Sequence, residues 1–143
     1  MLELSELFDS ASLTLHHQLE ITVWDYAKEV EKEAKEEIGH YQQAAGPFGA
    51  WPELAESTKA DRVRQGFSEN EPELRTGELR DSIKSEAMGL SSIAGSTSEV
   101  MLWQENGTDK MPPRAIIGTA YIRKLEFLEE ELGRCVMRSF RAY

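Results

Sequence analysis

The residue types that carry chemistry are few in this sequence and poorly spaced for it. His16 and His17 are adjacent, so on a helix they point to different faces, and His40 is far along the chain from both. The single thiol, Cys135, has no partner for an internal disulfide, and with three scattered histidines it fits no zinc-binding spacing. Carboxylates are plentiful at Glu29, Glu31, Glu33, Glu36 and Glu37, where a suitable pair would serve as general acid and base. Lys28, Lys32 and Lys35 are interleaved with them, however, and Glu31 with Lys35 is the i,i+4 arrangement of a charged helix surface. No Gly-x-Ser-x-Gly elbow, phosphate loop or dinucleotide fingerprint occurs. These residues predict a non-enzymatic protein with no catalytic site, no metal and no cofactor.

Two compact, polar, turn-rich clusters are more informative. The first runs Leu74-Arg75-Thr76-Gly77-Glu78-Leu79-Arg80-Asp81-Ser82-Ile83, and the second Glu105-Asn106-Gly107-Thr108-Asp109-Lys110-Met111-Pro112-Pro113-Arg114. In each, glycine permits a tight or left-handed backbone and a nearby hydroxyl can bond the local amides, which predicts loops of fixed geometry beside a sheet. Arg75, Arg80, Lys110 and Arg114 are alternatively donors presented to another protein chain.

Such loops need elements to hold them. From about Ser12 to Tyr41 the residues Leu15, Leu19, Val23, Tyr26, Ala27, Val30, Ala34, Ile38 and Tyr41 recur at spacings of three and four. They fall in a stripe about 140° wide, which predicts an amphipathic helix roughly 45 Å long, started by Asp9, Ser10 or Ser12. Ile21 and Trp24 lie outside the stripe, on the side of Lys28 and Lys32, either as tolerated exposed side chains or as contacts with a neighbouring subunit. Gly46, Pro47 and Gly49 break the helix. Pro52 at the first helical position and Gly66 just past the end predict a second helix over about 52 to 65, followed by a polar loop to Leu74. The runs 82–85, 91–94 and 99–103 read as three short antiparallel strands, although Glu86, Ala87 and Met88 are good helix formers that would extend a helix through the first run. Tyr121, Ile122, Leu125, Leu128, Leu132, Cys135 and Val136 then predict a helix over 119 to 138, capped by Thr119, with Cys135 as a buried, inert thiol.

The expected fold is α+β: a long N-terminal helix, a short second helix, a small antiparallel sheet of three to four strands, and a C-terminal helix packed on the sheet. Residues 1–143 form a single domain in this reading, with 1–44 an arm and long helix and 50–143 the core. A chain of 143 residues supports one real core. No apolar run approaches the roughly 20 residues that cross a bilayer, and the acidic start differs from a secretory signal, so an intracellular product without membrane insertion is expected. With 26 acidic against 16 basic residues, the net charge of −10 opposes binding to nucleic acid phosphates. Residues 1 to 40 hold three lysines and ten acidic residues, so the N-terminal third carries −7 of that charge.

Trp51-Pro52-Glu53-Leu54, Arg75 to Ile83 and Glu105 to Arg114, in this order and spacing, resemble the tail-completion, or virion morphogenesis, family of long-tailed phages. The likeness covers about residues 50 to 120, roughly half the chain. It departs from the usual pattern after Arg114, where Ala115-Ile116-Ile117-Gly118 replaces an aromatic-containing Pro-Phe-Leu, and at Met101 to Glu105, where a tyrosine and a histidine or acid are common. The resemblance implies a small α+β virion subunit that forms a ring, a hexamer, at the head-proximal end of the tail. Its implied partners are further copies of itself, the tail terminator or tail tube protein, and the head-tail connector or stopper, with genomic DNA passing through unbound. Assembly takes place in the host cytoplasm and the mature location is the tail and neck of the virion. A ring subunit exposes Ile21, Trp24 and Phe127 as a monomer and buries them on assembly. A tail terminator or head-tail stopper of the same neck region is the neighbouring possibility. From the residues alone, a small acidic adaptor docking through its long helix is the alternative of another class.

Overall fold

The computed structural model describes residues 3–141. Helix α1 spans Leu4–Glu37, 34 residues, beginning and ending earlier than the periodicity predicts. Asp9, Ser10 and Ser12 all lie within it, because Glu3 closes a capping box instead: its carboxylate takes the Glu6 amide, and the Glu6 carboxylate takes the Glu3 amide at 3.0 Å. At the far end Ile38 is extended, and Gly39, with φ 98, turns the chain so that its amide donates to the Pro72 carbonyl at 2.8 Å. Tyr41 therefore lies in the following loop, where its hydroxyl accepts the Leu54 amide at 3.1 Å. The predicted stripe faces inward: Ala27, Val30, Ala34 and Ile38 are buried, and Leu15, Leu19, Val23 and Tyr26 are partly covered.

Helix α2 covers only Glu56–Arg64. Pro52 is not its first residue, since Trp51 and Leu54 are buried and hold 51–55 outside the helix. Gly66, φ 83, stands just past its end, as the sequence indicates. The first polar cluster contains a single helical turn, α3 (Glu78–Asp81). A hairpin follows, with β1 (Lys84–Met88) antiparallel to β2 (Ser91–Gly95) and register running from Lys84↔Gly95 to Met88↔Ser91 around Gly89-Leu90.

Among the described residues the sheet has these two strands, not three or four. The third predicted strand, 99–103, lies in helix α4 (Glu99–Asn106). Glu99, Met101, Leu102, Gln104 and Glu105 favour helix, and the buried positions Met101 and Gln104 are three apart, a helical interval rather than the alternation of a strand. Conversely, Glu86, Ala87 and Met88 join the hairpin despite their helical preference, since each has a cross-strand partner.

The predicted C-terminal helix is two helices, α5 (Ile117–Arg123) and α6 (Leu125–Arg141), separated at Lys124. Thr119 does not cap it: it is buried inside α5, donating its hydroxyl to Glu37 Oε2 at 2.6 Å. Helix α6 does not pack on the sheet but runs antiparallel along α1, with Lys124 Nζ 3.3 Å from Glu33 and Cys135 Sγ 2.9 Å from the Thr22 hydroxyl. Small residues on this line, Ala11, Thr22, Cys135 and Ser139, are buried and let the helices approach closely. The C-terminal segment meets the sheet through α5 instead, where the Tyr121 hydroxyl accepts the Ala94 amide at 2.9 Å. Val30, Ala34, Ile38, Trp51, Ile83, Ala94, Met101, Ile116 and Ala120 form one core between α1, the hairpin, α4 and α5. No helix among the described residues is long and apolar enough to cross a membrane.

Candidate functional site

Two of the sequence blocks singled out above, 51–54 and 105–114, lie far apart in the chain and are stitched together by hydrogen bonds at their ends. Trp51 Nε1 donates to the Ala115 carbonyl at 2.9 Å. Arg114, itself buried, donates from Nε and Nη2 to the Pro52 carbonyl at 3.1 and 3.0 Å and from Nη2 to the Glu53 carbonyl at 3.1 Å. Its remaining nitrogen, Nη1, lies 3.6 Å from Glu73 Oε1. Arg62 repeats the device, donating to the Ser68 carbonyl at 2.7 Å and to that of Leu74. Both guanidiniums thus brace backbone carbonyls of irregular segments that no ladder satisfies.

This bracing frames a cleft of about 740 Å³ into which both polar clusters open. Leu54, Leu79, Val100 and Met111 supply apolar lining, while Arg75 and Lys110 stand as exposed cations at its edge. Arg75 is steadied by Asp61 Oδ2 at 3.4 Å and lies 6.0 Å over the Phe67 ring. Gln104, 9% exposed, also lines the cleft, and its Oε1 is buried with no hydrogen-bond partner among the described residues. Beneath them, Glu73 holds a left-handed backbone, φ 64, the one non-glycine residue to do so among those described. Burial pushes its carboxyl up to about 7, against the opposing pull of Arg114 and Arg62.

The turns inside the clusters follow the predicted chemistry and border this cleft, and the first cluster also runs into β1, with Ser82 Oγ 2.6 Å from Ser96 Oγ just past β2. Gly77, φ 84, starts α3, and the Thr76 hydroxyl accepts the Glu78 amide at 3.3 Å. Thr108 does the same for Lys110 at 3.3 Å and closes a tight turn with Met111. Gly107 has φ 71, and a Cβ there would lie 2.8 Å from Pro113 N and 2.9 Å from the Met111 carbonyl. The Glu105 carboxylate, by contrast, points at the start of α5, accepting the amides of Ile116 at 2.6 Å, Ile117, and Gly118 at 3.3 Å. Of the predicted motif residues, Arg75, Thr76, Gly77, Glu78, Leu79, Pro112 and Arg114 line the cleft. Arg80, Glu105, Gly107, Thr108 and Pro113 shape its borders or neighbouring turns instead. No protein-family model, curated protein or solved structure matches this chain.

Elsewhere, Ile21, Trp24, Lys28 and Lys32 are exposed on α1, with Trp24 at 49% and the Lys28 ammonium 3.9 Å over its ring. Phe127 does not join them as an exposed side chain. The break at Lys124 resets the helix, and Phe127 is partly covered. The acidic face of α1 serves tertiary structure: Glu29 and Glu33 pair with Lys124, and Glu33 and Glu37 with Arg123. Glu37 is 2% exposed, and burial pushes its carboxyl up to about 7, opposed by the Thr119 hydroxyl and Arg123. Among the described residues no three His, Cys, Asp or Glu side chains gather as a metal site requires. Sequence reasoning missed Arg62, Glu73 and Gln104, none of which carries a local signal. Only their convergence with Arg114 reveals them.

Proposed function

We propose that the protein is a structural virion subunit that assembles as a ring at the head-proximal end of a phage tail and joins tail to head. The ordered likeness of residues 51–54, 75–83 and 105–114 to the tail-completion family supports this reading. The observation that carries it in three dimensions is the spread of exposed large apolar side chains: Leu4, Phe8 and Leu13 on α1, Leu102 and Trp103 on α4, Met137 and Phe140 on α6. A subunit flanked by copies of itself and stacked between other layers needs cover on several sides. Six copies in a ring, a tail-side partner in the terminator or tube protein and a head-side partner in the connector or stopper complete the reading, with the mature protein in the virion neck. DNA is a neighbour and not a ligand, since a chain of net charge −10 presents a wall along which phosphates slide.

The test is electron microscopy of the purified protein together with particles made in its absence. Rings, and separate full heads beside tails of normal length, are the expected result. Overlong tails would reassign the protein to tail termination. A strictly monomeric protein that mass spectrometry fails to find in virions would overturn the proposal.

A further inference from the structure

We infer that the first turns of α1 in one copy dock in the cleft of the next copy, so that subunits join head to tail. The inference rests on the ring reading and names the contact that builds the ring. The cleft calls for an occupant of defined chemistry: apolar lining, with the cations Arg75 and Lys110 at the edge. Its lining holds four basic side chains, Arg62, Arg75, Lys110 and Arg114, against three acidic ones, Glu53, Glu73 and Glu78. On a chain of net charge −10 this is a locally positive spot, suited to an acidic, amphipathic segment.

The chain carries such a segment. Leu4, Phe8, Ala11, Leu15, Gln18 and Thr22 follow one another at alternating spacings of four and three, so they share one line along α1. Where this line meets α6 it is covered, as at Ala11 and Thr22. Beyond the described end of α6 it continues as Leu4 and Phe8, which stay 69% and 58% exposed. Glu3 and Asp9, both exposed, sit one residue to either side of that pair, about 100° around the helix in opposite senses. Leu4 and Phe8 entering the cleft would turn these two carboxylates toward its edge cations.

The same chain cannot make this contact with itself. Gly39, just past the end of α1, bonds to Pro72, next to Glu73 of the cleft lining, which puts the cleft at the C-terminal end of the helix. Phe8 is at the other end, 30 residues before Ile38, which is about 45 Å of rigid rod. Complementary surfaces at opposite ends of one rod make a heterologous contact, the kind that closes into a ring when its rotation permits.

Two full-length variants with substitutions at exposed positions test this. Phe8→Asp disables the segment and Val100→Glu puts an acid into the cleft, each leaving the other half intact. Each alone is expected to weaken self-association by about tenfold or more, while an equimolar mixture gives a one-to-one heterodimer and nothing larger by native mass spectrometry. Either variant assembling like wild type, or a mixture of folded variants remaining monomeric, overturns the contact. Should either variant fail to fold by circular dichroism, oxidation of a Phe8→Cys/Val100→Cys chain must give a ladder of covalent oligomers on a non-reducing gel, and its absence overturns the contact. A wild-type chain that is monomeric at every concentration sinks the ring reading as well. Wild-type rings unaffected by Phe8→Asp remove only this contact and give the cleft to a segment of another protein.

Discussion

Trp51 and Ala115 are joined by a buried hydrogen bond of 2.9 Å from indole to carbonyl, and this bond fixes the distance between the chain entering α2 and the chain entering α5. Arg114, the next residue back, reaches across to Pro52 and Glu53, so the two segments are stitched at successive positions. The cleft exists because this seam holds.

Replacing Trp51 by Phe keeps most of the apolar burial and removes the donor. The Ala115 carbonyl keeps the Thr119 hydroxyl at 2.9 Å, so the loss of the indole bond should lower stability by about 0.5–1.5 kcal/mol in urea unfolding. A Trp51→Phe protein as stable as wild type would show that the Thr119 hydroxyl alone satisfies the carbonyl.

Trp24 is half-exposed and its one ring contact of note is with Lys28. Trp24→Ala should therefore leave the melting temperature close to wild type while weakening self-association in analytical ultracentrifugation. A large drop in melting temperature with oligomer size unchanged would contradict this.

Gly107 combines φ 71 with the close backbone contacts at Pro113 and Met111, whereas a Cβ at Gly49 meets nothing within 4 Å. Gly107→Ala should cost about 2 kcal/mol or more, and Gly49→Ala should stay within about 0.5 kcal/mol of wild type. Equal thermal stability of the two variants would refute the steric account.

Glu37 and Glu73 each titrate near 7 in the folded protein, raised by burial from about 4.5. Between those values the folded chain holds protons that the unfolded chain has released, so stability falls as pH rises from about 4.5 to about 7 and levels off above. Glu31 acts oppositely, since its hydrogen bonds from Lys35 and Ser85 hold its carboxyl below the ordinary value and are lost in stronger acid. Thermal melts should place maximum stability on the acid side of neutrality, and Glu37→Gln with Glu73→Gln should flatten the decline toward pH 7. An unaltered decline in the double variant would assign it to other groups.

What could be read from the sequence was local. The inward stripe of α1 and the Gly66 stop after α2 depend on residues within a few positions of one another. The run Val100 to Trp103 misled because its apolar residues fit a strand, and only the inward pair Met101 and Gln104 gives the helical interval away. The C-terminal stripe was continuous in sequence yet is divided at Lys124 in space, and Phe127 is partly covered. The candidate cleft was half legible: glycine and hydroxyl chemistry marked its turns, but Arg114 finds Pro52 at a separation of 62 residues, beyond any periodicity. Gln104 is an ordinary glutamine until the fold surrounds it.

Cys135 is 1% exposed and sits against Thr22 where α6 crosses α1. It is the one thiol in the chain, so a thiol-specific dye added to the native protein meets nothing else to label. Its reaction must wait for the two helices to part. The labelling rate of the untouched protein is therefore a clock for that separation, and its slowing in assembled material would register α6 being held in place by a neighbour.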